Sequence, residues 1–172
     1  DNRDIWVMNA DGTSKAPLTL DKGMEQDPAW SPDGAMIAFS ALRLQTGGNF
    51  DIWIIGSDGS NPRRLTRMGG NEAAPSWHPD GKHIAYHSDD NGNLDIYTVD
   101  IKGKDITRII GTPAQESRPI FSPDGAKIAY SVWGKDQSQD QVDIWIANID
   151  GNEPYRLTHN PPSENGRWSP DG

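Results

Sequence analysis

Apolar and polar positions alternate along this chain in short runs, and no run carries the 3.6-residue period of an amphipathic helix. In "MIAFS" (36–40), "HIAYHS" (83–88) and "KIAYS" (127–131), Ile and an aromatic residue alternate with small or polar ones. That period of two predicts a strand, B, with one buried face. The segments "DIWVMN", "DIWIIG", "DIYTVD" and "DIWIAN", from Asp4, Asp51, Asp95 and Asp143, are apolar at consecutive positions. They predict a strand C covered on both faces, with Ile5 and Val7 pointing one way and Trp6 and Met8 the other. Ahead of each B lies a brief apolar strand A, such as "PAWS", closed by Pro-Asp-Gly, where Pro presets one turn dihedral and Gly takes the positive φ. After each C, a second turn such as Asp11-Gly12 or Asp58-Gly59 leads to a strand D ("APLTL", "RRLTR", "TRIIG", "YRLTH"), polar enough for a sheet edge.

These elements repeat. Pro-Asp-Gly recurs at Pro32, Pro79, Pro123 and Pro170, at spacings of 47, 44 and 47, and the Asp of strand C at 47, 44 and 48. A four-strand unit at this interval predicts an all-β chain, a β-propeller of four-stranded antiparallel blades packed around a common axis. The phase is permuted. Residues 1–24 supply strands C and D of a first blade, 25–71, 72–115 and 116–163 are full blades, and 164–172 supply strand A of a last one. Trp30, Trp77, Phe121 and Trp168 fall at equivalent places, two residues before each Pro. Either the chain is part of a larger propeller, or it completes its ring with another copy. The uncovered end blades make a homo-oligomer, most simply a dimer, the expectation.

The phrase "E..P.WSPDG..IAF.S......DIW.M..DG...RLT", repeated in phase, resembles the TolB-like propeller repeat over essentially the whole chain. The Gly-His start and Trp-Asp ending of the WD repeat are absent. The resemblance implies a β-propeller with strand A lining the central channel, and a periplasmic or extracellular bacterial setting. It also implies a non-catalytic module that recognises a protein, peptide or small ligand at the channel mouth. The alternative is the propeller of an enzyme, similar to prolyl oligopeptidase-like peptidases or oligogalacturonate lyases. The first would need a hydrolase domain downstream, and the second a His-rich metal cluster on one face.

Composition narrows the partners. A net charge of -9, with basic residues scattered, disfavours a nucleic-acid backbone. With no Cys there is no disulfide framework and no thiolate metal site, and no apolar run approaches the roughly 18 residues of a membrane span.

Candidate chemistry is sparse. A Glu precedes each Pro-Asp-Gly unit, at Glu25, Glu72, Glu116 and Glu164, in what the repeat places as the loop from strand D to the next strand A. Carboxylates converging at the mouth would hold a hard cation such as calcium, the one cofactor considered, or attract basic groups of a peptide. Their recurrence instead favours capping of local backbone N–H groups, because binding residues usually break a repeat. Residues that do break it are Arg118, standing where Asp27 and Ala74 stand, His78, standing where Ser31 stands, and Gly166-Arg167 in a loop one residue shorter. The expected channel-mouth set is therefore Glu25, Asp27, Glu72, His78, Glu116, Arg118, Glu164 and Arg167. His83 and His87 share a strand face but lie about 13 Å apart along it, too far to ligate one metal. No Gly-x-Ser-x-Gly elbow or phosphate-cradling Gly loop is present, so no catalytic residue is expected.

Overall fold

The computed structural model describes residues 3–43, 48–133, 142–159 and 166–172. Every regular element among them is a strand, and none of them holds a helix long and apolar enough to cross a membrane. The first blade is β3 (Met24–Trp30), β4 (Met36–Leu42), β5 (Phe50–Gly56) and β6 (Arg63–Arg64), hydrogen-bonded in that order. The middle blade is β7 (Glu72–Trp77), β8 (His83–Ser88), β9 (Asp95–Asp100) and β10 (Thr107–Ile110), and the third is β11 (Gln115–Phe121), β12 (Lys127–Trp133), β13 (Val142–Asn148) and β14 (Tyr155–Arg156). All pairings within the blades are antiparallel, as strands joined by tight turns must be. Ahead of them β1 (Trp6–Val7) pairs with β2 (Ala16–Pro17). Residues 166–172 form no strand.

Apolar side chains form three cores, one at each junction. Ile5 of the leading segment meets Ile37, Phe39, Ala41 and Ile55 of the first blade. The other face of that blade, with Ala38, Ile52, Ile54 and Leu65, packs on Trp77, Ile84, Tyr86, Tyr97 and Val99 of the middle blade. The middle blade in turn packs Ala85, Ile96 and Ile110 on Phe121, Ile128, Tyr130 and Ala147 of the third. The side-chain period of two thus sends alternate residues of one strand into two different cores.

Strand B differs from its expectation of one buried face. In β4 every residue from Ile37 to Ala41 is buried. The small positions, Ala38 and Ser40, lie against the next blade, where the absence of bulk lets the sheets approach. The outermost faces stay open, with Trp6 52% and Met8 64% exposed at one end and Leu157 53% exposed at the other.

Candidate binding cleft and the network behind it

Strand A does not run straight in any blade. The register slips between Gln26 and Ala29, between Ala73 and Ser76, and between Ser117 and Ile120. At each slip one residue takes a left-handed backbone, Asp27 (φ 53°), Ala74 (φ 51°) and Arg118 (φ 53°), followed by a proline. A bulge of this kind re-aims a strand. The preceding blade holds it, because Ala74 N–H donates to Ser40 Oγ (3.2 Å) and Arg118 N–H to His87 Nδ1 (3.3 Å). Ser40 Oγ also donates to Asp27 Oδ2 (3.3 Å). Burial pushes His87 down to about 4, so its ring is neutral at pH 7 and Nδ1 can accept.

The three bulges line one cleft of about 600 Å³. Its walls are Pro28, Pro75 and Pro119 with Trp30, Trp77 and Phe121, and its polar groups include Asp27, Arg118 and Arg167. Trp30 is 54% exposed there. The indoles also stitch blades together: Trp77 Nε1 donates to Ala29 O and Trp168 Nε1 to Ile120 O, each at 3.0 Å. Phe121 has no N–H to give, and His78 packs edge-on against it instead, ring centroids 4.9 Å apart.

Of the expected mouth residues, Asp27, Arg118 and Arg167 come together in this cleft, while His78 sits behind Phe121. Glu164 lies outside the described residues. Glu25, Glu72 and Glu116 are placed elsewhere: each is buried at the head of its strand A and does not line the cleft. Thr19 Oγ1 donates to Glu25 Oε2 (3.2 Å) while accepting Ile5 N–H (2.9 Å). Thr66 likewise accepts Ile52 N–H (2.9 Å) and stands beside Glu72, which also accepts from Ser88 Oγ (3.4 Å). Glu116 accepts from both the backbone N–H and the hydroxyl of Thr112. Burial raises all three carboxyls, and for Glu72, where the charge of Asp51 adds to burial, the value is pushed up to about 8. Beside them the strand C Asp of each four-stranded blade pairs with the Arg of strand D: Asp51 with Arg64 (2.7 Å), Asp95 with Arg108 (2.8 Å) and Asp143 with Arg156 (2.7 Å). Sequence reasoning singled out neither the Thr partners nor Trp30 as a cleft wall. The recurrent Leu-Thr of strand D, six residues before the Glu, was the available signal.

The repeated carboxylates thus belong to a buried network, and of the residues that vary between blades Asp27, Arg118 and Arg167 face the cleft. A family model for the TolB beta propeller domain matches residues 4–172. The chain belongs to that family. Among solved structures, a putative TolB from Agrobacterium tumefaciens is similar at 26% identity and TM-score 0.83, over 98% of this chain and 62% of that one. TolB from Acinetobacter baumannii follows at 22% and 0.77, over 97% and 40%. An oligogalacturonate lyase from Vibrio parahaemolyticus shares the fold at 16% and 0.67, over 90% and 45%. No curated protein matches by sequence. The chain therefore spans less than two thirds of the length of either TolB structure.

Proposed function

We propose that this TolB-family propeller is a non-catalytic binding module that takes a protein or peptide segment in the cleft, in a periplasmic or extracellular setting. The observation that carries the reading is the cleft's chemistry: Arg118 and Arg167 line it together with three prolines and a half-exposed Trp30, in a chain whose net charge is -9. Proline and indole surfaces suit an extended apolar segment, and the guanidiniums suit a carboxylate on it. The interlocked bulges keep the walls rigid, which lowers the ordering cost of binding. Glu25, Glu72 and Glu116 each accept from a hydroxyl of their own repeat or neighbour, which supports a structural role for them over calcium binding. The lyase likeness, at 16% identity, carries the fold alone.

The test is selection from a displayed library of acidic peptides, with affinities read from Trp fluorescence. Enriched peptides are expected to lose at least tenfold in affinity on Arg118→Ala and on Trp30→Ala. No enrichment, or peptides that bind both variants unchanged, overturns the reading. Association of copies through the end faces carrying Trp6, Met8 and Leu157 completes the proposal. Light scattering at micromolar concentration showing only an 18.9 kDa species would exclude it.

A further inference from the structure

The turn between β7 and β8 gathers two imidazoles around one carboxylate. His78 Nδ1 lies 3.0 Å from Asp80 Oδ1, and His83 Nδ1 lies 2.8 Å from Asp80 Oδ2. The donor atoms of the three residues are all within 4.8 Å of one another. The turn itself brings them together, since His78 N–H donates to His83 O (2.9 Å) across the hairpin.

The arrangement of His78 points to a cation. Its Nε2 is 3.2 Å from the carbonyl oxygen of Gly125, which can only accept, so Nε2 carries the proton. Nδ1, on the other side of the ring, faces the Asp80 N–H at 3.1 Å and Asp80 Oδ1 at 3.0 Å. A ring nitrogen this close to a carboxylate oxygen requires a positive charge between them, supplied either by the proton of an imidazolium or by a metal ion. A histidine anchored through its far N–H to a backbone carbonyl is the usual support of a metal ligand. The other two blades have no such problem, because Ser31 and Ser122 fill the place of His78 and donate to Asp33 and Asp124 at 2.6 Å.

We propose that His78, Asp80 and His83 form a three-ligand site for a first-row divalent cation, with a remaining coordination position open to water. Two imidazole nitrogens and one carboxylate oxygen suit zinc. Ligands about 2.0–2.1 Å from a tetrahedral zinc stand roughly 3.4 Å apart. The His78–Asp80 and His83–Asp80 separations of 3.0 and 2.8 Å would each open slightly to take the ion. Pro79, in the same turn, lines the cleft.

The test is calorimetric titration of the chelator-treated protein with zinc chloride, alongside melting curves. One ion per chain is expected, with a raised melting temperature through preferential binding to the native state. His83→Gln and Asp80→Asn are each expected to weaken binding at least tenfold. His83 is exposed, so His83→Gln is expected to melt like the parent without zinc. Cobalt should give the intense visible absorption of a four-coordinate site in the parent and lose it in His83→Gln. Absence of zinc binding, or unchanged affinity in both variants, overturns the proposal.

Discussion

The first and middle blades share the same frame and differ in what hangs on it. In both, an Asp on strand C pairs with an Arg on strand D, a Glu heads strand A, and a left-handed residue bulges that strand. The middle blade nevertheless has Ile110 where the first has Thr66, and Glu116 still receives a hydroxyl because Thr112, in the following loop, supplies it. At the A–B turn the first blade closes Ser31 on Asp33, while the middle blade closes two histidines on Asp80. What is constrained at a repeat position is therefore a satisfied buried group and not a residue identity. Exposed turn positions escape even that constraint and are where new chemistry can enter.

The largest expected effect comes from the shared ion pair. Asp51 is fully buried and its partner Arg64 is 16% exposed, so Asp51→Ala leaves a largely buried guanidinium without its carboxylate, left with its bond to Thr66 O, and is expected to cost about 3–5 kcal/mol. The same change at Asp95 leaves Arg108, already 42% exposed, to water, and is expected to cost less. Urea midpoints of the two variants check the ordering. Equal losses would mean that burial of the Arg does not set the cost.

A smaller contrast is one of pH. The folded state raises Glu72 to about 8, so it holds a proton more tightly than the unfolded chain does. The stability from this group is complete below about 4.5, the ordinary glutamate value, and is lost as pH rises towards 8. Glu72→Gln cannot titrate, so its melting temperature is expected to gain on that of the parent steadily across this window. His87, depressed to about 4, acts with the opposite sign as pH falls, but it is present in both proteins and cancels in the difference. Parallel melting curves from pH 4.5 to 8 would show that Glu72 carries no such linkage.

Much of this was legible in the sequence, because turn chemistry and the period of two fix strands A to D wherever Pro-Asp-Gly and Asp-Ile-aromatic recur. The equivalence of Trp77 and Trp168 appears as the same indole bond to the preceding blade. The place of the glutamates was not legible. The sequence reads Thr66 and Thr158 as part of a polar edge strand, whereas β6 and β14 are only two residues long and the Thr beyond each turns its hydroxyl inward to close the network. His78 stood out as a residue that breaks the repeat, but its closeness to His83 was not legible, for a related reason. Spacing along a strand relates His83 to His87, whereas the hairpin sets His78 directly opposite His83.

The bulge was equally silent, because Asp27, Ala74 and Arg118 have nothing in common as residue types. Yet all three take φ near +50°, where a Cβ meets the neighbouring carbonyl at a cost of roughly 1–2 kcal/mol. Asp tolerates this backbone best and adds a bond to Ser40. Arg118 also faces the cleft, so changing it mixes backbone with binding. Ala74 is the clean probe, since it offers only a methyl group and its N–H bond to Ser40 survives substitution. Ala74→Gly is therefore expected to stabilise the protein. The gain should be about 0.5–1 kcal/mol, because the relieved strain exceeds the extra chain entropy of Gly when unfolded. The urea midpoint should rise with an unchanged slope. A midpoint at or below the parent's would show that the bulge is relaxed with Ala, and that the left-handed turn lining the cleft stores no strain.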